Sequence, residues 1–258
     1  MFEERLRAAA ELVCEQGYFP IYISLHGSQN YGLAICEADY RSDYDFKCIV
    51  LPSLWDLVEG RKPVSLTLET DEGQIDVKDI RVFCDALEKM NPAYLESLAS
   101  AHHLILPGGE SMDEIRAQLP ALMHERAGAF AKACCGLFED KAQRMCHDSP
   151  AVHERITKFG YDGKQPHHML RLMLQLRAFE ASGEFWLEAP QEARALLTAL
   201  KKNEIPLADV REMIPNWRAE IWETRLRIEQ KSGEPKTGAG AAIRRIAQEM
   251  MHDHCRKG

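Results

Sequence analysis

The chain has 258 residues, of which 45% are hydrophobic and 28% are charged. This composition excludes a disordered, fibrous or collagen-like polymer, and the length suits one large domain or two modest ones. The 32 basic and 40 acidic residues give a net charge of −8, which disfavours a broad, non-specific grip on nucleic-acid phosphates. A nucleic-acid partner would therefore need a local basic patch.

The sequence predicts a cytoplasmic protein with no membrane partner. No apolar run approaches the about 20 residues that a membrane-spanning helix needs. The first residues, FEERLRAAAELVCEQG, are charged and amphipathic, unlike a signal peptide. The eight cysteines are too sparse for a disulfide scaffold and lack zinc-ribbon spacing, so we expect reduced thiols.

The N-terminal part of the chain alternates between helix and strand patterns up to the break at Pro107-Gly108-Gly109. Asp79 has the position of an N-cap, and Asn91-Pro92 opens a short helix. In chain order we predict a helix over 4–16, strands over 22–25, 44–51, 64–70 and 74–78, helices over 80–90 and 92–98, and a strand over 102–106.

Beyond the break nearly every segment has helical periodicity. Helices are predicted over 111–118, 121–146, 150–159, 165–182, 190–202, 207–230 and 241–254. The expected fold class is α+β, with an N-terminal α/β core built on a mixed sheet and an all-helical C-terminal lobe. We expect a core at 1–107, a helical lobe closing its cleft at 108–230, and a linker with a C-terminal helix at 231–258.

The stretch HGSQNYGLAICEADYRSDYDFKCIV carries the residues suited to chemistry. A strand running into Gly27-Ser28 places backbone N–H groups and a hydroxyl at a turn, where they can hold phosphate oxygens. Asp43 and Asp45 stand two residues apart at the start of a predicted strand, so both carboxylates lie on one face. A divalent cation such as Mg²⁺ would remove their repulsion. A solvated strand entrance is the alternative interpretation.

A two-metal phosphoryl-transfer site needs a third carboxylate. Asp76, in GQIDVKDI, lies on a predicted strand and would project opposite to Ile75 and Val77. It is the best candidate. Asp79 competes with it but has the position of a helix cap, and Glu69 is a weaker candidate.

Gly27-Ser28, a spacer of fourteen residues, Asp43-Tyr44-Asp45 and the later Asp76 resemble the signature of the DNA polymerase β superfamily of nucleotidyltransferases. Within it, HGSQNYGLA with SDYD, then DVKDIRVFCDALEKMNPAYLESL and KFGYDGKQPHHMLRLM resemble the predicted nucleotidyltransferases of the RNA-repair-pathway (RlaP-like) family. These three motifs, in the same order as in the family, span most of the chain.

The resemblance implies a polymerase-β-like α/β core with a helical partner lobe, two Mg²⁺ (or Mn²⁺) ions, and a nucleoside triphosphate donor, with ATP as the first choice. It assigns phosphate binding to Gly27 and Ser28. It assigns metal binding and catalysis to Asp43 and Asp45. Asp76 is carried over as the third catalytic and metal-binding carboxylate, which would orient the acceptor hydroxyl and could accept its proton.

The later motif, YDGKQPHHMLR, predicts a turn followed by a helix with Pro166 in its first turn. His167 and Arg171 share a helix face at i and i+4, with Lys164 at the helix entrance. If this cationic group faces the acidic residues, it would neutralise the phosphates of a nucleotide. A helix with a solvated basic face is the alternative interpretation.

These observations predict an Mg²⁺-dependent nucleotidyltransferase that moves an NMP from an NTP to a hydroxyl acceptor and releases pyrophosphate. The family context favours an RNA end, such as that of a tRNA-like molecule, as the acceptor. The alternatives left open are NMP transfer to a protein side chain and a catalytically inactive nucleotide-binding regulator. The sequence decides neither the NTP nor the oligomeric state.

Overall fold

A computed structural model of the protein describes residues 2–37, 40–231 and 238–257. The strands are β1 (Phe19–His26), β2 (Tyr44–Leu51), β3 (Ser65–Thr70), β4 (Gly73–Asp79) and β5 (His103–Ile105). The helices are α1 (Phe2–Glu15), α2 (Leu54–Val58), α3 (Ile80–Glu88), α4 (Pro92–Ala99), α5 (Met112–Ala117), α6 (Leu119–Glu125), α7 (Ala127–Arg144), α8 (His153–Phe159), α9 (Lys164–Ser182), α10 (Arg194–Lys201), α11 (Leu207–Lys231) and α12 (Ala239–Lys257).

Most of these elements begin and end within a few residues of their predicted positions, and two differ. The prediction missed α2, because its five residues are too few to show a helical period. A capping box formed by Ser53 and Asp56 starts this helix. The single helix predicted over 121–146 is wrong, because Arg126 has non-helical backbone angles and separates α6 from α7. Residues 232–237 of the predicted linker lie outside the described residues.

The chain forms two compact units, Met1–Glu125 with Pro235–Gly258, and Arg126–Glu234. The first unit contains the whole sheet, α1 to α6 and α12. Helix α12 packs on α3, where Arg244 forms ion pairs with Asp85 at 3.1 Å and Glu88 at 2.6 Å. The C-terminal helix thus belongs to the N-terminal unit, an arrangement that its sequence position did not suggest.

The five strands form one mixed sheet in the order β3-β4-β2-β1-β5. β2 pairs in parallel with β4, whereas the β1–β2, β1–β5 and β3–β4 pairs are antiparallel. The structure confirms the predicted α+β class, with its mixed-sheet core in the N-terminal part and helices in the C-terminal part.

The two faces of the sheet differ in chemistry because side chains alternate along each strand. One face is apolar and packs under α1; its buried members are Leu6, Ala9, Ala10 and Val13 of α1 and Ile23, Leu25, Phe46, Cys48, Val50, Ile75 and Val77 of the strands. The alternate positions include the polar residues Ser24, His26, Asp45, Lys47, Asp76 and Lys78, together with the buried Tyr22 and Ile49. Burial of the apolar face therefore fixes which residues the opposite face presents.

In the second unit, α7, α9 and α11 pack on one another, and α10 packs on α9. Phe130 and Phe179 form an edge-to-face pair in its core, with ring centroids 5.2 Å apart. Arg218 of α11 binds Glu139 of α7 at 2.8 Å. Within the described ranges, no helix combines the length and apolar character needed to cross a membrane.

Candidate active site

The turn after β1 brings the predicted phosphate-binding residues beside a predicted metal ligand. Gly27 and Ser28 begin a 3-10 turn, Gly27–Gln29, that follows β1 directly. Gly27 has a φ of +72°, a left-handed conformation that glycine adopts without steric cost. A Cβ added to Gly27 would lie 2.6 Å from Asp45 Oδ2. The Asp45 carboxylate therefore lies directly against this turn, in space that only glycine leaves open.

Strand register explains this contact. Asp45 lies opposite His26 on β1 and opposite Gln74 on β4, near one end of the sheet. Asp43 is exposed and immediately precedes the first residue of β2. Asp43 and Asp45 thus stand at the start of the central strand β2, beside the Gly27-Ser28 turn that ends β1.

Asp76 lies on the same face of the sheet as Asp45, one step further along the strands. It is opposite Lys47 in the parallel β2–β4 pair, and Lys47 Nζ donates to Asp76 Oδ2 at 2.6 Å. Lys78 Nζ contacts the other carboxylate oxygen at 2.7 Å. Burial raises the pKa of Asp76, but Lys47 and Lys78 together outweigh burial and hold this pKa below its usual range. Asp76 is therefore an ionised, firmly held carboxylate.

Asp79, the competing candidate, has a structural partner at each oxygen. It is fully buried, and its Oδ1 accepts from the backbone N–H of Arg81 at 2.8 Å, as an N-cap of α3 does. Its Oδ2 lies 2.6 Å from the Arg81 guanidinium. Asp76 also has a partner at each oxygen, but it shares the sheet face of Asp45, whereas Asp79 is fully buried on the face of Ile75 and Val77. This placement favours Asp76 as the third carboxylate, an assignment that stays a proposal.

A buried carboxylate on α4 holds the residues around the turn. Glu96 is 1% exposed, and the hydroxyl of Tyr31 donates to its Oε2 at 2.5 Å. The same oxygen lies 3.9 Å from His26 Nδ1. Glu96 is thus hydrogen-bonded to Tyr31, which follows the Gly27-Ser28 turn, and lies near His26, which precedes it, a placement that nothing in its sequence context signalled.

Two lysines of the site were also missed by the sequence analysis. Lys47 is only 5% exposed, and its ammonium group lies 4.6 Å from the centre of the Tyr94 ring as well as against Asp76. Alternation alone places Lys47 on the Asp45 face and Lys78 on the Asp76 face. The alternation of side chains can be read from YDFKCIVL and DVKD. The strand register that brings both lysines to the Asp76 carboxylate cannot be read from these segments.

The later motif lies in the second unit, at the start of α9. The predicted turn and helix start are confirmed, because Asp162 Oδ1 accepts from the backbone N–H of Lys164, the first residue of α9, at 3.2 Å. Lys164 is half-buried, and Arg171 is 8% exposed. Their binding of phosphate stays a prediction.

The prediction that His167 carries a positive charge is wrong. Its Nδ1 lies 2.9 Å from the carbonyl oxygen of Leu197, which can only accept, so Nδ1 carries the proton. Burial, more than the nearby cations Arg171 and Lys201, lowers the pKa of His167 to about 4. At neutral pH the ring is uncharged and its Nε2 has no proton to donate to a phosphate.

The residues at the sheet end suit a divalent cation in part. The pair Asp43 and Asp45 offers hard oxygen ligands beside the Gly27-Ser28 turn. Asp76 is held by its lysines instead. Across the part of the chain that the structure describes, no three His, Cys, Asp or Glu side chains form a group able to hold a metal ion. A fully assembled site would require Asp76 to exchange lysine contacts for the cation.

This fold and site can be compared with known proteins. A comparison with curated proteins finds no match. The crystal structure of a nucleotidyltransferase-like protein from Exiguobacterium sibiricum aligns at 10% identity and a TM-score of 0.31, covering 100% of this chain and 81% of that one.

The family comparison gives a match over nearly the whole chain. Residues 3–249 match the model of the family described as "RlaP: RNA repair pathway DNA polymerase beta family". This range includes the whole of the second unit, most of the first and every predicted site residue. The chain therefore belongs to the RlaP family, and it is a nucleotidyltransferase of the polymerase-β type.

Proposed function

We propose that this nucleotidyltransferase transfers an NMP from an NTP, with ATP as the first choice, to a hydroxyl at an RNA end. The observation that carries the proposal is the contact between the Gly27 turn and the Asp45 carboxylate. A phosphate group held by the turn would lie beside the pair of carboxylates, which is what a metal-dependent transfer of a phosphoryl group requires.

Asp43 and Asp45 would hold Mg²⁺ or Mn²⁺, and Asp76 would complete a two-ion site. Such ions, when bound, neutralise phosphate oxygens and lower the pKa of the acceptor hydroxyl. In the transfer, the acceptor oxygen bonds to the α-phosphorus. The bond from that phosphorus to the β-phosphate oxygen breaks, pyrophosphate leaves, and the hydroxyl proton passes to solvent or to Asp76.

The protein's own residues would bind and orient the substrates. The backbone and hydroxyl of Gly27-Ser28 would hold the β- and γ-phosphates, because left-handed glycine lets an anion approach the main chain. Tyr31, which follows this turn, is hydrogen-bonded to Glu96 of α4. Lys164 and Arg171 supply the positive charges of the helical unit that we propose for phosphate binding.

The family description names an RNA repair pathway, and this supports RNA as the acceptor. The test is incubation with each labelled NTP, with Mg²⁺ or Mn²⁺, and with either total RNA or lysate protein. Label in RNA is the expected result. Label in protein would instead identify a protein-modifying enzyme, and NTP binding without transfer would identify an inactive regulator.

A further inference from the structure

A pocket of about 370 Å³ lies within the second unit, lined by residues of α9 and of the segment 186–194. This volume is in the range of sites for small molecules. None of the family motifs quoted above includes segment 186–194. Three features of the pocket define its ligand: a buried amide, its charge and an exposed indole ring.

The amide belongs to Gln175, which is 6% exposed and lines the pocket. Its Nε2 donates to the carbonyl oxygen of Trp186 at 3.1 Å. Because a carbonyl can only accept, this bond fixes which end of the amide faces it. The other end, Oε1, is buried and has no hydrogen-bond partner among the described residues. A ligand with an O–H or N–H donor would satisfy this acceptor.

The charge of the lining favours a ligand with a single phosphate. Arg171 and Arg194 both line the pocket, but Arg194 donates to Glu188, a further lining residue, at 3.0 Å. Two arginines and one glutamate give the lining a net charge of one positive. One phosphodiester balances that charge, whereas a triphosphate would exceed it.

The ring is that of Trp186, which is 54% exposed. Large aromatic side chains are usually more buried, and an exposed indole beside a pocket is available for stacking. Apolar neighbours in the lining, including Leu174 and Pro190, would cover the other side of a planar ligand. Stacking of a nucleobase on an aromatic side chain contributes about 1 to 3 kcal/mol.

A planar ring, a hydrogen-bond donor and one phosphate together describe a nucleotide within an RNA chain. We propose that this pocket binds one nucleotide of the RNA acceptor, an inference that rests on the proposed transfer to RNA. The base stacks on Trp186, a ribose hydroxyl or base amine donates to Gln175 Oε1, and Arg171 contacts the phosphodiester. Of the two cations of the helical unit proposed for phosphate binding, Arg171 would thus serve the RNA acceptor, and Lys164 is left for the donor.

The test measures binding of a fluorescent oligoribonucleotide with a free 3′ hydroxyl to the full-length protein by anisotropy, in parallel with calorimetric titration of ATP and Mg²⁺. Gln175→Leu and Trp186→Ala should each weaken RNA binding by at least about 5-fold, and ATP affinity should stay within about 2-fold. Two variants are used because Gln175→Leu also removes the bond to Trp186.

Matched controls lie outside the pocket. Arg177→Ala removes an exposed arginine of the same helix that pairs with Glu220, and Trp55→Ala removes an exposed tryptophan of the first unit. Both controls should bind RNA as the unchanged protein does. Thermal unfolding of every variant checks that the fold is intact.

Unchanged RNA affinity in both folded pocket variants would overturn the inference, and so would a loss confined to ATP, which would make the pocket a donor site. These outcomes are distinct from failure of the proposed function. If RNA takes up label but the pocket variants bind it normally, only the inference fails. If RNA binds in a Gln175-dependent manner but takes up no label, only the proposed transfer fails.

Discussion

Lys47 Nζ lies 2.6 Å from Asp76 Oδ2, joining the central strand β2 to its parallel neighbour β4 on the polar face of the sheet. The lysine is almost fully buried, and an ammonium in such surroundings requires a compensating anion. The ion pair thus gives Asp76 a structural partner in addition to its proposed catalytic role. Substitutions of Asp76 must therefore be judged on stability as well as on rate.

Asp76→Asn should lower the transfer rate by at least about 100-fold while NTP affinity stays within a few-fold, because a ligand on the acceptor side contributes more to chemistry than to donor binding. The barrier change corresponds to roughly 2.7 kcal/mol. Single-turnover kinetics and calorimetry give the two quantities. Loss of the charge beside Lys47 should also cost about 1 to 3 kcal/mol in the free energy of unfolding.

Asp79→Asn is the matched control for that variant. Asparagine caps a helix about as well as aspartate, but the ion pair of this buried carboxylate with Arg81 is lost. We expect a less stable protein with a nearly normal transfer rate at a temperature where it is folded. An inactive, folded Asp79→Asn protein with an active Asp76→Asn protein would assign the third carboxylate to Asp79.

Asp43→Asn combined with Asp45→Asn should abolish transfer and the Mg²⁺-dependent part of NTP binding, since amides are poorer ligands than carboxylates for a hard cation. The fold should persist, because Asp43 is exposed and Asp45 lies near the end of the sheet. NTP titration with and without a chelator measures the effect. The control is Asp71→Asn, which removes an exposed acidic residue in the β3–β4 turn. Full activity of the double variant would refute the metal-ligand assignment.

Gly27→Ala should reduce both NTP affinity and transfer by more than about 10-fold. The left-handed backbone costs an alanine roughly 1 to 2 kcal/mol, and the new Cβ would meet Asp45 Oδ2 at 2.6 Å and displace it. Gly17→Ala separates the two effects, because Gly17 has a φ of +83° and an added Cβ there meets nothing within 4 Å. It should lose similar stability and keep its activity. Equal losses of activity in both variants would show that backbone strain alone is responsible.

His167 makes stability depend on pH. Its pKa is about 4 in the folded protein and about 6.5 in an unfolded chain. The unfolded state therefore binds the proton first as the pH falls, so this contribution is complete above about 6.5 and is lost between 6.5 and 4. The loss is on the order of 3 kcal/mol.

His167→Gln tests this dependence, since glutamine can still donate to the Leu197 carbonyl but does not titrate. Urea unfolding at several pH values should show the variant gaining stability relative to the unchanged protein as the pH falls from 7 to 4. Burial, more than the neighbouring His167, lowers the pKa of His168, which is present in both proteins, so most of its contribution cancels in the comparison. Parallel stability curves would contradict a neutral, buried His167.

The sequence by itself determined the family, the α+β class and most of the element positions. The pattern YDFKCIVL predicted β2 over its full extent, because aromatic and β-branched residues bounded by Pro52 suit only a buried strand. Asp79 and Asn91 were predicted as caps from their places before apolar runs, and both accept the expected backbone bonds. These are local signals, set by residues that lie close together in the chain.

Tertiary structure decided which of these residues meet. The contact of Gly27 with Asp45 and that of Lys47 with Asp76 depend on strand register, which is fixed when α1 buries the apolar face of the sheet. The charge of His167 depends on burial and on the carbonyl of Leu197, 30 residues away. Periodicity shows the face on which a side chain lies. Packing between distant segments sets its partners and its protonation, so these had to come from the structure.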